Sequence, residues 1–285
     1  KGGAKLIEGI KVSEILTKND QVTGADTDQG RIEAEIVVVC SGMWTRDLCA
    51  PIGVNVPLHA AEHYYIVTRP MEGVVRNQPV IRDMDGYIYI KEEVGGLILG
   101  GFEPNAKPWG MDGIPDGFEF QALQEDWDQF EIFMNTGLER FPALADAEIR
   151  QLFVGPESFT PDNRYILGEA PSLRKLYVAA GFNSIGIQSA GGAGKALAEW
   201  IAEDEPTMDL AELDIRRFHR FERNRAYLFD RTKESLGLLY SMHWPYFQPT
   251  TGRGARRSPF HDRLDVAGAC FGVTMGWERP MWFAD

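Results

Sequence analysis

The sequence predicts a mixed α/β fold that combines a buried parallel strand with a separate antiparallel sheet. Residues 36–40 form a continuous β-branched run, which is typical of a strand buried on both faces. Runs of aromatic and branched residues at 64–68, 87–90 and 97–100 indicate the strands of the second sheet. A strand, a glycine-rich loop and a helix follow one another across 176–200, so the fold class is α/β with an α+β mix.

The N-terminal segment predicts a meander of short strands. Apolar and polar residues alternate over 10–16, a turn follows at 18–20, and the strand pattern resumes at Val22. A second turn is predicted at 29–30, because turn residues between short alternating runs are typical of antiparallel hairpins. The buried strand 36–40 comes next.

A hairpin is predicted within the second sheet. Residues 91–96 connect two strands, and consecutive glycines lie at the tip of the turn. Because successive side chains of a strand point to opposite faces, Tyr87 and Tyr89 should share one face of the sheet. The other face should then carry Ile88 and Ile90.

The middle of the chain predicts helices and further strands. Apolar residues at helical spacing from Phe120 to Met134 predict an amphipathic helix whose stripe faces the core. Residues 149–156 return to strand or loop, and residues 175–180 predict a second buried strand. Residues 189–202 predict a helix.

We expect two domains, residues 1–206 and residues 207–285. The second begins with a helical region at 209–240 and ends in an aromatic-rich segment at 268–283. The chain starts without Met, and its first residues resemble the middle of a longer protein. We therefore expect an internal fragment.

Composition argues against several classes of function. The net charge is -13, from 29 basic and 42 acidic residues, whereas nucleic-acid-binding proteins normally present a basic face. No apolar run is long enough to span a bilayer, and no targeting segment is visible. The three cysteines lack CxxC spacing, so we predict no metal site, and they favour a reducing compartment.

The glycine-rich segment 181–194 is the most informative motif. Its glycines would let a flat or anionic ligand touch the backbone, and a helix N-terminus offers unpaired N–H groups with a partial positive charge. Close packing of strand and helix explains the glycines equally well, so the spacing leaves both interpretations open. Ala196 excludes a P-loop, and the chain contains no GxGxxG fingerprint.

Several short motifs carry a family resemblance, namely 37–44, 62–65, 87–92, 158–162, 168–171, 181–192, 252–259 and 276–280. In this order they resemble the C-terminal part of the D-amino-acid-oxidase-type flavin fold, in its dimethylglycine/sarcosine dehydrogenase branch. The last two resemble the central module that follows the flavin domain. The match covers nearly the whole chain, and the order of the motifs makes it specific.

The resemblance implies FAD as the cofactor. The residues expected to contact the flavin or its adenosine half are Val12, Ser41, Gly42, Trp44, Phe182, Asn183, Ser184, Ile185, Gly186 and Ile187. It also implies tetrahydrofolate at a C-terminal module beyond this chain, and either the bacterial cytoplasm or the mitochondrial matrix. The upstream histidine that carries the flavin covalently in many relatives is not in this sequence.

His63 and Tyr89 are the catalytic residues that the resemblance implies, over the reactive face of the flavin. The substrate amine must lose a proton before it can release hydride, and a histidine beside it can take that proton. Tyr89 can hydrogen-bond the substrate carboxylate or tune the same proton. On the residues alone, a hydrogen-bonded sheet histidine and a packed tyrosine are the commoner interpretation. His59 ranks second, and Gln188 stands where simpler sarcosine oxidases place a carboxylate-binding lysine.

Three functions compete. The first is FAD-dependent oxidative N-demethylation of an N-methylated glycine, with a small amino-acid substrate and an open choice of electron acceptor. The second is a non-catalytic regulatory relative that acts as a protein-interaction scaffold. The third is a plain D-amino-acid or glycine oxidase. The segment after Pro206 argues against the third, because simple oxidases of this fold end near the glycine-rich helix.

Overall fold

The computed structural model describes residues 2–245 and 247–284, which form two compact units. Unit 1 contains Lys1–Pro57 and Arg164–Arg223, and unit 2 contains Leu58–Asn163 and Asn224–Asp285. Each unit is therefore assembled from two separate stretches of the chain. The expected domain boundary at residue 206 falls within the second stretch of unit 1, and it stays a prediction.

Unit 1 contains two three-stranded sheets and two α-helices. The bounds are β1 Val12–Lys18, β2 Gln21–Thr27, β3 Gly30–Glu33, β4 Val37–Val39, α1 Thr45–Cys49, β11 Ile166–Glu169, β12 Leu176–Ala180 and α3 Gly186–Glu203. Strands β1 to β3 form the predicted antiparallel meander. The second sheet has the order β11-β12-β4, and β12 runs parallel to β4 as the buried run predicted.

Strand β4 is less buried than its sequence predicts. Val39 is buried, but the side chain of Val38 is 40% exposed. The prediction that both faces of this strand are buried is therefore wrong for the described part of unit 1, because the Val38 face is only partly covered there. Helix α3 packs instead around Tyr177 of β12, through Leu197 and Trp200.

Unit 2 is built on one antiparallel sheet with the order β10-β5-β8-β7-β6, and a short strand β9 pairs with β5. The bounds are β5 His59–Thr68, β6 Ile81–Asp83, β7 Ile88–Glu93, β8 Gly96–Gly101, β9 Pro108–Trp109, α2 Trp127–Arg140, β10 Ile149–Phe159, α4 Arg225–Leu238, α5 His261–Val266, β13 Ala269–Thr274 and β14 Trp277–Phe283. Strands β13 and β14 form a separate hairpin.

The two faces of the large sheet are covered by different helices. One face packs on α2, where Phe130 and Phe133 join a buried cluster with Ile66, Ile88 and Leu99. The other face packs on α4, where Leu236 joins a buried cluster with Ala61, Phe102, Ala106 and Phe159. Alternation along the strands assigns His63 and Tyr89 to this second face.

The predicted hairpin is confirmed, with one change. Strands β7 and β8 pair across a turn at residues 94–95, and Ile88 and Ile90 are buried on one face. Tyr89 lies on the opposite face, as expected. Tyr87 precedes β7 and has a φ of 59°, so it does not follow the strand alternation.

The amphipathic helix starts later than the apolar stripe predicts. Helix α2 begins at Trp127, after Asp126 accepts a hydrogen bond from the backbone N–H of Gln129 at 3.0 Å. Phe120 lies outside the helix, is fully exposed and has a φ of 55°. The stripe is therefore shared between an extended segment and the helix.

The helical region predicted at 209–240 is mostly irregular until Arg225. Short 3₁₀ turns occupy Ile215–Arg217 and Arg220–Arg223, and α4 begins only where the Asn224 side chain accepts from the N–H of Tyr227. No helix among the described residues is long and apolar enough to cross a membrane.

Candidate functional site

The face of the unit 2 sheet that carries His63 has a row of directly paired residues. Its members, in order across β6, β7, β8, β5 and β10, are Arg82, Tyr89, Gly100, Tyr65 and Phe153. Directly paired residues point to the same side of a sheet, so these side chains share one surface. His63 lies two residues from Tyr65 on the same surface, opposite Gly155.

Gly100 leaves the space in which the Tyr89 ring lies. A methyl group added at Gly100 would collide with the hydroxyl and ring of Tyr89. The ring therefore reaches across β8, and its hydroxyl oxygen lies 3.4 Å from Nε2 of His63. Gly100 cannot be recognised from the sequence, because a glycine at the end of an apolar run gives no indication of the side chain that lies over it.

His63 is buried in an aromatic setting, and its side chain keeps one nitrogen unpaired. The residue is 7% exposed, and its ring stacks on Phe102 with centroids 4.7 Å apart. Nδ1 is buried and has no hydrogen-bond partner among the residues described. Burial lowers the pKa of His63, and the Glu157 carboxylate opposes that shift. His63 is therefore neutral near pH 7 and can accept a proton.

Tyr89 stays protonated at its hydroxyl. Burial raises the pKa of Tyr89, and the Glu157 carboxylate adds to the shift. A neutral phenol can both donate and accept a hydrogen bond, so its role toward His63 depends on which imidazole nitrogen carries the proton. The pair that sequence analysis predicted is thus brought together within unit 2.

The rival residue His59 has a structural hydrogen bond. Its Nδ1 lies 2.8 Å from the carbonyl oxygen of Ala60, and a carbonyl only accepts, so this nitrogen donates. His59 is buried on the same face, four residues before His63. The bond fixes one nitrogen of His59 to the backbone and supports the ranking of His63 above it.

Two carboxylates near this face were also missed. Glu157 is partly exposed, and its Oε2 is buried without a hydrogen-bond partner in the described part of the chain. Glu103 is 1% exposed, and neither of its carboxylate oxygens has a partner there. Burial raises the pKa of Glu103 to about 8. Glu157 lies just before the motif at 158–162 and carries no functional signal in the sequence, although it falls on the His63 face of β10.

Tyr240, just after α4, contributes a further ring to this surface. Its ring centroid lies 6.0 Å from that of Tyr89 and 4.5 Å from that of Phe102. The Arg82 guanidinium lies over the Tyr240 ring at 3.7 Å and donates to the carbonyl oxygen of Leu239 at 2.5 Å. A residue far along the chain therefore packs against Tyr89 and against Phe102, the ring on which His63 stacks.

In unit 1, the start of helix α3 is open. Its first residue is Gly186, and the residue before it, Ile185, provides no side-chain cap for the helix N–H groups. Methyl groups added at Gly191, Gly192 or Gly194 would meet no atom within 4 Å. Close packing among the described residues therefore does not explain these glycines.

Other predicted cofactor contacts in unit 1 are also exposed. Ile187 is 100% exposed, and Val12 and Trp44 are exposed large apolar side chains. Gly42 has a φ of 54° and open space around it, next to Ser41 at the start of a 3₁₀ turn. The exposed Ile187 side chain lies in the first turn of α3, next to the uncapped N–H groups, and this combination fits a flat ligand that is partly anionic.

The loop before α3 is held by its own hydrogen bonds. Asn183 is buried, and its Nδ2 donates to the carbonyl oxygen of Gly181 at 2.7 Å. Asn183 and Ser184 both have positive φ, at 49° and 65°. The Phe182 ring stacks on Tyr165 at 4.7 Å. These residues shape the turn, and their contact with a cofactor stays a prediction.

The comparison with protein families identifies the chain. Residues 1–200 match the model described as FAD dependent oxidoreductase. The chain belongs to this FAD-dependent family. Residues 203–258 match the FAD dependent oxidoreductase central domain. The family confirms the resemblance, the enzyme class and FAD as the cofactor that the sequence predicted.

Curated relatives cover nearly all of this chain. It is 44% identical over 281 residues to 4-methylaminobutanoate oxidase (formaldehyde-forming) from Paenarthrobacter nicotinovorans, covering 99% of this chain and 34% of the relative. It is 38% identical to mitochondrial sarcosine dehydrogenase from Mus musculus, covering 99% and 31%. It is also 42% identical to the mitochondrial pyruvate dehydrogenase phosphatase regulatory subunit from Mus musculus, covering 99% and 32%. The chain thus spans about a third of each relative.

Solved structures confirm the fold class. L-proline dehydrogenase from P. horikoshii matches with a TM-score of 0.64 and 25% identity, over 75% of this chain and 55% of that one. Glycine oxidase from Geobacillus kaustophilus matches with a TM-score of 0.60 and 25% identity, over 75% and 53%. The names of both proteins describe enzymes that oxidise amino acids. Both structures share the mixed α/β fold described above.

Proposed function

We propose that this chain is part of an enzyme that oxidatively N-demethylates a small N-methylated amino acid. The observation that carries the proposal is the buried pair of His63 and Tyr89, with 3.4 Å between Nε2 and the hydroxyl oxygen. The names of the relatives support the substrate class, since two of them act on N-methylated amino acids. Dimethylglycine, sarcosine and 4-methylaminobutanoate are the candidates to test.

His63 acts on the proton of the substrate amine. A protonated amine has no lone pair to stabilise the carbon that loses hydride, so one N–H bond must break first. A buried, neutral histidine accepts that proton and becomes an imidazolium ion. Tyr89, which stays protonated, can accept a hydrogen bond from Nε2–H of His63 and donate its own proton to the substrate, which leaves Nδ1 of His63 as the basic nitrogen. When bound, FAD supplies the oxidising power by accepting the hydride.

The residues that hold FAD are proposed to lie in unit 1. The uncapped start of α3 offers N–H groups, and Gly191 and Gly192 leave room for close approach. Ile187, Val12 and Trp44 supply exposed apolar surface. The chain's own residues fit a flat cofactor that becomes anionic when it is reduced.

An absorbance spectrum of the full-length protein tests the proposal. The flavin band should be present and should bleach on anaerobic addition of at least one of the three candidate amines. A flavin band that none of the three amines bleaches would overturn the proposed substrate class. Protein without flavin, and without amine turnover when FAD is added, would favour the non-catalytic scaffold instead.

A further inference from the structure

Glu157 is placed to meet a ligand at the His63 face. In the β5–β10 ladder, Gly155 pairs with His63 and Glu157 pairs with Ala61, so Glu157 is a diagonal neighbour of His63. Diagonal positions in an antiparallel pair lie roughly 7–8 Å apart, within the reach of long side chains. Gly155 has no side chain between the two, and the edge of the Phe153 ring lies beside it, 2.9 Å from where a Cβ would be.

We propose that Glu157 binds the cationic amine group of the substrate, beside the Tyr89 and Tyr240 rings. This inference rests on the proposed function and adds the group that recognises the methylated ammonium ion. Nothing in the family match or in the names of the relatives assigns a role to this carboxylate.

The burial of Glu157 is the first argument. Its Oε2 is buried without a hydrogen-bond partner in the described part of the chain, and the residue keeps partial exposure. A carboxylate oxygen removed from water without a partner costs free energy, which a bound cation offsets. Burial raises the pKa of both Tyr89 and Tyr240, and the Glu157 charge adds to both shifts, which agrees with its position beside the two rings.

The surrounding rings are the second argument. The Tyr240 ring packs on Phe102 at 4.5 Å and on Tyr89 at 6.0 Å between centroids, and the His63 ring stacks on Phe102. The Arg82 guanidinium lies over the Tyr240 ring, so the Tyr89 ring is the better placed of the two tyrosines to face a second cation. A methylated ammonium ion donates few hydrogen bonds but is attracted to aromatic faces. One carboxylate among several rings is therefore suited to an N-methylated amine rather than to a primary one or to a metal ion.

The arrangement also suits the proton transfer. The substrate N–H bond breaks, the proton forms a bond to an imidazole nitrogen of His63, and the amine becomes neutral. The positive charge moves from the amine to His63 and stays near Glu157 in both states. Because the Glu157 charge raises the pKa of His63 against the effect of burial, the carboxylate stabilises the imidazolium product as well.

Glu103 is less suited to this role. It is 1% exposed, and burial raises its pKa to about 8, so it is largely protonated at neutral pH. A neutral carboxylic acid attracts a cation weakly, and a fully enclosed side chain offers no approach. Glu93 alternates onto the same face, but its carboxylate is paired with Lys91 at 2.9 Å. Glu157 is partly exposed and keeps one carboxylate oxygen without a partner in the described part of the chain.

A pair of isosteric ligands tests the inference in the full-length, FAD-loaded protein. Glycine betaine and 3,3-dimethylbutanoate share shape and carboxylate, but only betaine is a cation, and neither can be oxidised at nitrogen. If 4-methylaminobutanoate is the amine that bleaches the flavin, the longer pair 4-(trimethylammonio)butanoate and 5,5-dimethylhexanoate replaces them. The Kd of each is measured by calorimetry and by the change in flavin absorbance.

We expect the wild type to prefer the cation and Glu157→Gln to lose that preference by about 10- to 100-fold. Glu157→Asp keeps a carboxylate but shortens the side chain by one methylene, so it should retain part of the preference for the cation. Glu148→Gln is the matched control, because it removes one exposed carboxylate just before the same strand and should change nothing.

An unchanged preference in both Glu157 variants would overturn the inference. If amines still bleach the flavin in that preparation, the proposed function stands without it. If neither ligand binds the wild type and no amine bleaches the flavin, the proposed function and the inference both fail.

Discussion

The contact between Tyr89 and His63 depends on the absence of a side chain at Gly100. The Tyr89 ring crosses β8 at this position, and the next residue across the sheet is Tyr65. Any side chain at Gly100 would meet the Tyr89 ring on one side and the Tyr65 Cβ on the other. Gly100 is therefore a positioning residue for the proposed catalytic pair.

Replacing Gly100 by Ala should lower activity without removing the flavin. The added methyl group displaces the Tyr89 hydroxyl from Nε2 of His63, and a misplacement of about 1 Å can cost roughly 100-fold in rate. We expect kcat/KM for the amine to fall by at least about tenfold, while KM for the amine changes less than kcat. Steady-state kinetics and the flavin-to-protein absorbance ratio measure both effects. Full activity in a folded Gly100→Ala protein would contradict the positioning role.

The protonation of His63 should set the acid limb of the pH profile. Burial lowers the pKa of His63, so the neutral base persists below the ordinary histidine range near 6.5 and is lost as pH falls further. We expect log kcat/KM to decline at acid pH with an apparent pKa below about 6.5. His63→Gln should remove that limb and lower the rate by roughly 100-fold or more at neutral pH.

His59→Gln is the matched control for this prediction. His59 lies on the same strand and face but bonds to the Ala60 carbonyl, so its replacement should leave the acid limb in place. Flavin content should stay near normal in both variants. An acid limb that survives in His63→Gln would assign it to another group.

At the scale of elements, helix α3 has one side that is packed and one side that is exposed. Ala193, Ala196, Leu197 and Trp200 are buried, whereas Gly191 and Gly192 are exposed in the turn that precedes them. A helix whose only task was to pack would not need glycine on its exposed side, because glycine costs about 0.5–1 kcal/mol relative to alanine there. The open glycines are better explained by a ligand at the start of the helix.

Gly191→Leu tests that explanation. The position has no atom within 4 Å of an added Cβ and an ordinary helical backbone, so the apoprotein should fold at least as well as the wild type. The leucine side chain would occupy the space proposed for the cofactor, and the flavin-to-protein ratio should fall several-fold. Ala198→Leu, on an exposed position later in α3, should leave flavin content unchanged. A normal flavin-to-protein ratio in Gly191→Leu would mean that the cofactor does not bind at this helix.

At the scale of the whole molecule, the sequence predicted the elements better than their partners. The meander, the β7–β8 hairpin and helix α3 follow from local patterns, because turn residues and periodicity lie close together in the chain. The pairing of His63 with Tyr89 also followed, through the order of motifs. Tyr240 could not be predicted, since its position depends on α4 packing against strands that lie far away in sequence.

Exposure and side-chain reach were equally hard to predict. The β-branched run at 36–40 predicts burial on both faces, but burial depends on what covers a strand, and Val38 is exposed in the described structure. Glu157 and Gly100 look ordinary in the sequence. Their importance comes from the register of β10, β5, β8 and β7, which places them beside His63 and Tyr89.

Because α4 packs on the His63 face of the unit 2 sheet, a substitution in α4 should disturb the proposed catalytic pair. Leu236 is fully buried against Phe102, which stacks on His63. Leu236→Ala should cost about 2–5 kcal/mol of unfolding free energy, and the loosened Phe102 and Tyr240 rings should also lower kcat/KM. Denaturant unfolding and steady-state kinetics on the full-length protein measure the two effects.

Leu144→Ala provides the matched comparison, since Leu144 is buried in the cluster on the opposite face of the same sheet. It should cost a similar amount of stability, again about 2–5 kcal/mol, but leave kcat/KM near the wild-type value at temperatures where both variants are folded. Equal losses of activity in the two variants would mean that α4 supports unit 2 only through stability. A loss confined to Leu236→Ala would mean that the segment after residue 223 shapes the site itself, and that its removal cannot leave a working His63 face.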